Sequence, residues 1–301
     1  MTLIITTVGP NVVTMVGDRR LSYDGKIIED DAGKIGHWVC EDASMLYAYT
    51  GVAKAGSFDL RKWIQNTLQS VAADGGFGFL AMVSRLCTAA TDIFEKHPVL
   101  KKVSDKRTTI IFAGYMGNGD PAAALVSNFE NDGDFPLKNA MDHFEWCSWR
   151  ATKQTADASA TFMTGNMSGL KFSRWSELND LVLQGRPEAA LRGKSVDLLL
   201  EAASSPLSGV TIGKRLLSAS LTRPKGNIPP VPSSLYITDE ASSVIYGLDE
   251  VTTMEAASVA IHGMTLSFDD GDIAVFPRRR VNEPCSCGSG KKYKRCHGRR
   301  V

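Results

Sequence analysis

No stretch of the 301-residue chain approaches the roughly twenty consecutive apolar residues that a helix needs to cross a bilayer. The amino terminus lacks a basic stretch followed by a long apolar block and a small-residue cleavage site, which argues against a signal peptide and makes the cytoplasm the expected compartment. There is no internal repeat and no low-complexity tract. A phosphate-binding loop is missing too, because no Lys-Ser or Lys-Thr opens a helix after the Gly117–Asn118–Gly119 turn. Without an ATPase signature, any unfolding of substrates would fall to a separate partner. Histidine is scarce, and His37, His97, His143 and His262 lack ligand spacing, so each is expected to be structural. Trp146 and Trp149, around Cys147, are expected to be core or inter-subunit contacts.

Cysteine is sparse and unevenly placed. Cys40, Cys87 and Cys147 stand far apart in apolar contexts and read as buried thiols, whereas Cys285, Cys287 and Cys296 crowd the tail beside His297. Charge is uneven in the same way. The whole chain carries a formal +1, yet residues 278–301 hold nine Lys or Arg against one acid, Glu283. A basic arm of this kind suits contact with an acidic surface better than packing into a core.

The remaining composition, 43% hydrophobic and 22% charged, is that of a globular chain long enough to bury a large core. Residues 2–8 and 11–16 are β-branched runs separated by Gly9-Pro10, the mark of a hairpin. Further strands are expected at 45–50, 108–115, 122–129, 143–149 and 158–164, with 209–222 also read as strand. Leu60, Ile64, Leu68 and Val71 fall at helical spacing, and Phe79, Met82, Val83, Leu86, Ala90, Ile93 and Phe94 mark a second helix that His97-Pro98 stops. Two later helices are expected at 170–184 and 187–204, the last with Pro187 in its first turn. Strands without βαβ repetition, flanking helix pairs, predict an α+β chain of two sheets with helices outside. The proline-rich segment 223–233 reads as a linker, and short β runs follow within 235–276, including 235–238 and 243–247.

The first turn carries the chemistry. If Met1 is removed, as the small side chain of Thr2 allows, Thr2 holds a hydroxyl nucleophile and its own free amine on one residue. Lys34 offers a cation to activate it, and Asp18 a carboxylate to orient that cation. The D-x-R at Asp18–Arg20, the G-K-I around Lys34 and the apolar strand ending in Thr50-Gly51 follow Thr2 at 16, 18 and 32 positions for Asp18, Arg20 and Lys34. In this order and spacing residues 2–222 resemble a proteasome β-type subunit of the Ntn-hydrolase superfamily; counting from Thr6 or Thr7 breaks the match.

The resemblance implies an αββα sandwich, threonine-type hydrolysis of peptide or amide bonds, and homo-oligomers, including rings. It also implies roles. The Thr2 amine, through water, would take the hydroxyl proton. The Gly51 N–H would serve as oxyanion donor, Ser208 before Gly209 matches the family's S-G among the catalytic residues, and Arg20 would brace the site. Two positions depart from the pattern: Asn166 stands where a serine is usual, and Ser205 where an aspartate is usual, so no negative charge comes from there.

At the other end, Pro284 to Gly298 closely resembles the SEC-C motif. Cys285, Cys287, Cys296 and His297 suit one tetrahedral, structural Zn2+ with no open position. The Lys291, Lys292, Lys294 and Arg295 run beside them would meet an acidic protein, or phosphates of RNA or the ribosome. The expected organisation is therefore a hydrolase-like domain at 2–222, a linker and extra β segment at 223–276, and a zinc module at 277–301. The competing reading is an inactive scaffold that presents the zinc module to a partner.

Overall fold

The computed structural model describes residues 2–23, 26–40, 42–73, 78–130, 137–151 and 159–223, together with four strands between 232 and 268. In chain order the strands begin with β1 (Leu3–Val8), β2 (Val12–Asp18), β3 (Leu21–Tyr23), β4 (Lys26–Glu29), β5 (Ile35–Val39), β6 (Ala43–Thr50), β7 (Lys54–Ala55) and β8 (Phe58–Asp59). Helices α1 (Leu60–Ala73) and α2 (Phe79–Lys96) come next, then β9 (Thr109–Met116), β10 (Pro121–Ser127), β11 (Glu145–Arg150) and β12 (Ala160–Gly165). After α3 (Phe172–Leu183) and α4 (Glu188–Ser204) the chain forms β13 (Leu216–Thr222), β14 (Pro232–Asp239), β15 (Ser242–Tyr246), β16 (Ala257–Ser258) and β17 (Leu266–Phe268).

Two antiparallel sheets result. One has the order β12-β1-β2-β13-β14-β15, the other β11-β10-β9-β6-β5-β17-β16. The side-chain period of two along each strand decides the layering. On β1, Ile4 and Val8 face the other sheet, where they meet Leu46, Ala48, Ile111, Ala113 and Tyr115. The alternate residues Leu3 and Ile5 face α3 and α4 and pack on Leu178, Leu198, Leu199 and Ala202. On β6, Met45, Tyr47 and Tyr49 point the other way, onto Leu60, Ile64 and Leu68 of α1 and Phe79, Met82 and Leu86 of α2. The order is helix pair, sheet, sheet, helix pair. Strands covered on both faces are buried at every position, which is why β1 and β6 are mostly apolar, with small hydroxyl side chains at Thr6, Thr7, Ser44 and Thr50.

Several expectations need correction. Residues 209–222 are not one strand: Pro206–Ser208 form a 3-10 turn, and the chain loops until β13 begins at Leu216. Ser208-Gly209 is the reason, since Gly209 takes φ +57 and breaks any extended run. Pro187 is the N-cap of α4 rather than its first residue, with Glu188 opening the helix. The hairpin of β3 and β4 and the strand β5 were not anticipated. They are short, and β4 is mostly exposed, so no alternation betrays them. The run at 235–238 lies in β14 and residues 243–246 lie in β15, which continue the first sheet beyond β13, while residue 247 lies outside the described residues. Cys87 is buried as expected, but Cys40 and Cys147 are only half-buried. Trp149 packs edge-on against Phe162, while Trp146 is exposed. His262, most of the 223–233 linker and the cysteine-rich tail lie outside the described residues.

Candidate active site

Three segments converge on Thr2: the end of β2 with the turn that follows it, the segment entering β5, and the end of β6. Asp18 closes β2, and its fully buried carboxylate is saturated by backbone. Oδ1 accepts from Leu3 N–H at 3.2 Å; Oδ2 accepts from Arg20 N–H at 3.0 Å and Gly213 N–H at 3.1 Å. Oδ2 also lies 3.3 Å from Lys34 Nζ. A carboxylate with this many donors is held in one rotamer, which makes it a rigid anchor for the lysine.

Lys34 is itself 2% exposed. Its Nζ donates to the Thr2 hydroxyl and to the Arg20 carbonyl in addition to its contact with Asp18. Burial lowers the Lys34 pKa, and the Asp18 carboxylate opposes that shift only in part. Desolvation thus favours the free amine, while the Asp18 carboxylate favours the cation that donates to Thr2, Arg20 and Asp18. In its free-amine form the same Nζ would accept the Thr2 proton, which the ammonium does not.

The Thr2 carbonyl is gripped as firmly as its side chain. The Thr50 hydroxyl donates to it at 3.0 Å, and Asn166 N–H donates at 2.9 Å. Gly165 precedes that N–H at φ +96, and a Cβ there would fall 2.0 Å from the Thr2 carbonyl oxygen, so only glycine fits. Gly51 follows Thr50 at φ +100, where a Cβ would meet the Arg107 carbonyl at 2.0 Å. It sits one residue from the Thr2 grip, at the place where the resemblance puts an oxyanion donor.

Arg20 does not reach the hydroxyl. Its guanidinium pairs with Asp30 at 2.5 and 3.0 Å and spans to the carbonyls of Val210 and Ile212, tying the loop before β13 to the β2 turn. The same pairing with Arg20 lowers the Asp30 pKa. Ser208 is buried, and its Oγ finds no partner among the described residues. Its carbonyl accepts from Thr211 Oγ1 at 2.7 Å, and Thr211 in turn accepts from Asn166 Nδ2 at 2.8 Å. Ser205 caps the 3-10 turn by accepting from Leu207 N–H at 3.3 Å. Neither departure places a carboxylate beside Thr2.

The structure thus puts Lys34 in contact with both Thr2 and Asp18, with Arg20 and Ser208 nearby. Gly213 and Thr50 were not read from the sequence. Gly213 was hidden inside the supposed 209–222 strand, and Thr50 looked like ordinary strand text before Gly51. His37, by contrast, is the buried structural histidine expected: Nε2 bonds Ser44 Oγ at 2.7 Å, and burial drives its pKa down to about 3.

The site lies in a two-sheet sandwich in which the Thr2 hydroxyl rests on a buried lysine–carboxylate pair. The likenesses to known proteins divide along the chain. Residues 282–299 match the SEC-C motif. Protein translocase subunit SecA of Methylibium petroleiphilum is 39% identical over 61 residues, which is 20% of this chain and 7% of that protein. SecA of Variovorax paradoxus is 42% identical over 60 residues, 20% of this chain and 6% of its own. The chain thus spans less than a tenth of the length of these relatives. Among solved structures, the helical assembly of the Anbu complex from Pseudomonas aeruginosa superposes with a TM-score of 0.49 at 14% identity, covering 80% of this chain and 88% of the other. An Anbu mutant from Hyphomicrobium gives 0.48 at 12% identity, covering 83% and 89%. Among the described residues, no helix is long and apolar enough to cross a membrane.

Proposed function

We propose that the chain is a threonine-type hydrolase of the Ntn class, an αββα sandwich acting on peptide or amide bonds after Met1 is removed. The contact of Lys34 Nζ with Thr2 Oγ1, backed by Asp18, is the observation that carries this reading. In the reaction Thr2 Oγ1 attacks the carbonyl carbon while its proton passes to the neutral Lys34 amine or, through water, to the Thr2 amine. The Gly51 N–H receives the oxyanion. Collapse expels the amine, which takes the proton, and water then hydrolyses the threonyl ester and restores the hydroxyl.

Intact mass of the purified protein tests this, with and without an electrophile that captures an amino-terminal threonine. Loss of Met1 and a single adduct, absent in Thr2→Ala, are expected. Native protein that retains Met1 would end the proposal.

A second reading is favoured by Asn166 and Ser205, which leave the Thr2 amine without the carboxylate support usual in the resembled family. On that reading the fold is a scaffold and the tail does the work. Three thiols and an imidazole suit tetrahedral zinc, which would hold Cys285, Cys287, Cys296 and His297 as a rigid basic module for an acidic protein, RNA or the ribosome. A Thr2→Ala chain that keeps its cellular role while Cys296→Ser loses it would decide for the scaffold. Self-association belongs to both readings.

A further inference from the structure

Glu130 follows β10 and is buried, with 8% of its surface exposed. Each carboxylate oxygen accepts one hydrogen bond: Oε1 from Gly165 N–H at 2.8 Å, and Oε2 from the Thr109 hydroxyl at 2.7 Å. Gly165 is the residue whose neighbour, Asn166, donates to the Thr2 carbonyl. Glu130 therefore holds one N–H, and the very next N–H holds Thr2. The closeness of Gly165 to the Thr2 carbonyl leaves no slack between them.

On its other side Glu130 lines a cavity of about 1160 Å³ at the margin where β11 and β12 end their sheets. Ile111, Leu125, Trp149 and Phe162 form its apolar walls. The cavity gives water and protons a way to a carboxyl that the sandwich otherwise encloses.

The groups packed on Glu130 are mostly neutral: Thr109 from β9, the Ser127 hydroxyl of β10, which accepts from Glu130 N–H, and the Gly165 N–H of β12. Arg107, before β9, is the cation that acts on it, and Asp105, Lys138 and Lys171 line the same cavity. Burial pushes the carboxyl up to about 7, while the bonds from Gly165 and Thr109 pull it the other way. When ionised, the carboxylate accepts both bonds. A proton on Oε1 sets an O–H against the Gly165 N–H and breaks that bond. A proton on Oε2 is accommodated, because the Thr109 hydroxyl can turn to Ser127 Oγ, 2.7 Å away, but the Gly165 bond then loses its charge assistance.

We propose that Glu130 is a positioning residue for the Thr2 site: its carboxylate, acting through Gly165, fixes the turn that grips the Thr2 carbonyl, and protonation from the cavity loosens that grip. This rests on the proposed role of Thr2, so the test has two readouts. The first is the rate at which an electrophile labels Thr2 between pH 5 and 9. Wild type should lose several-fold of its rate below an inflection near pH 7. Glu130→Gln should lack that inflection and label slowly even at the top of the range, and Thr109→Val should move it upward. Inflections that coincide in wild type, Glu130→Gln and Thr109→Val would overturn the proposal. If wild type is not labelled at any pH, the Thr2 reading fails, and the second readout decides the role of Glu130 alone. The Gly165 amide resonance in glycine-labelled protein should titrate near pH 7 in wild type and not in Glu130→Gln; a resonance that does not move with pH would overturn the grip.

Discussion

Lys34 and Asp18 are a buried pair, and the two members should fail differently when truncated. Lys34→Ala removes the group on the Thr2 hydroxyl, so Thr2 labelling should fall by about 10²-fold or more, as for loss of a general base. Asp18→Ala leaves a buried lysine without its counter-charge and three backbone N–H groups without an acceptor, which should cost roughly 3–5 kcal/mol. Urea midpoints of the two variants separate the effects, since a larger stability loss in Lys34→Ala than in Asp18→Ala would contradict this assignment. Glu130 adds a pH dependence whose sign follows from its shift. Its folded pKa is raised from 4.5 to about 7, so its stabilising contribution is complete below pH 4.5 and is lost as pH rises through 7. The loss is on the order of 3 kcal/mol. Wild type should therefore weaken between pH 5 and 8 more than Glu130→Gln does, measured by urea unfolding at each pH. The state that best grips Thr2 is thus the less stable one, a common arrangement where activity depends on a desolvated charge.

At the level of elements, β12 and its closing glycine are tied to β1 more tightly than packing alone requires. Gly165→Ala places a methyl group on the Thr2 carbonyl oxygen and on Thr50 Oγ1 at a positive φ, so stability and Thr2 labelling should drop together, the latter by at least tenfold. Unchanged labelling in a folded Gly165→Ala protein would show that the turn does not control Thr2. The helices play a different part. Leu86 of α2 is fully buried under the seven-stranded sheet and far in sequence from the Thr2 segments, so Leu86→Ala should cost roughly 2–5 kcal/mol in a urea titration. Thr2 labelling of the folded fraction should be unchanged, because α2 packs on β10 and β11 from the side away from the other sheet.

For the whole molecule, the tail and the sandwich should be separable. Elemental analysis should find one zinc per chain, and Cys296→Ser should abolish it, with Thr2 labelling unaffected in either protein. Zinc that survives the substitution would remove Cys296 from the ligand set. Self-association is read by sedimentation: Leu183 of α3 and Leu200 of α4 are exposed apolar side chains on the outer helix layer, and Leu183→Glu with Leu200→Glu should reduce the assembly size if that layer is the interface.

Much was legible in the chain itself. The β1–β2 hairpin, the four helices and the strands from β9 to β12 announced themselves because burial on two faces, or on one helical stripe, forces an apolar pattern that local reading detects. The Thr2, Asp18 and Lys34 set was legible for another reason: their order and spacing match the pattern of the proteasome β-type subunits that the chain resembles. Tertiary structure decided what no separation encodes. Whether Lys34 acts as a cation or an amine depends on how much protein surrounds it. The grip on Thr2 comes from Thr50 and Asn166, 48 and 164 positions away, and Glu130 joins it through a residue 35 positions further on. Those contacts arise only when two sheets close face to face, because desolvation and hydrogen-bond partnership belong to the enclosed space rather than to any one segment that lines it.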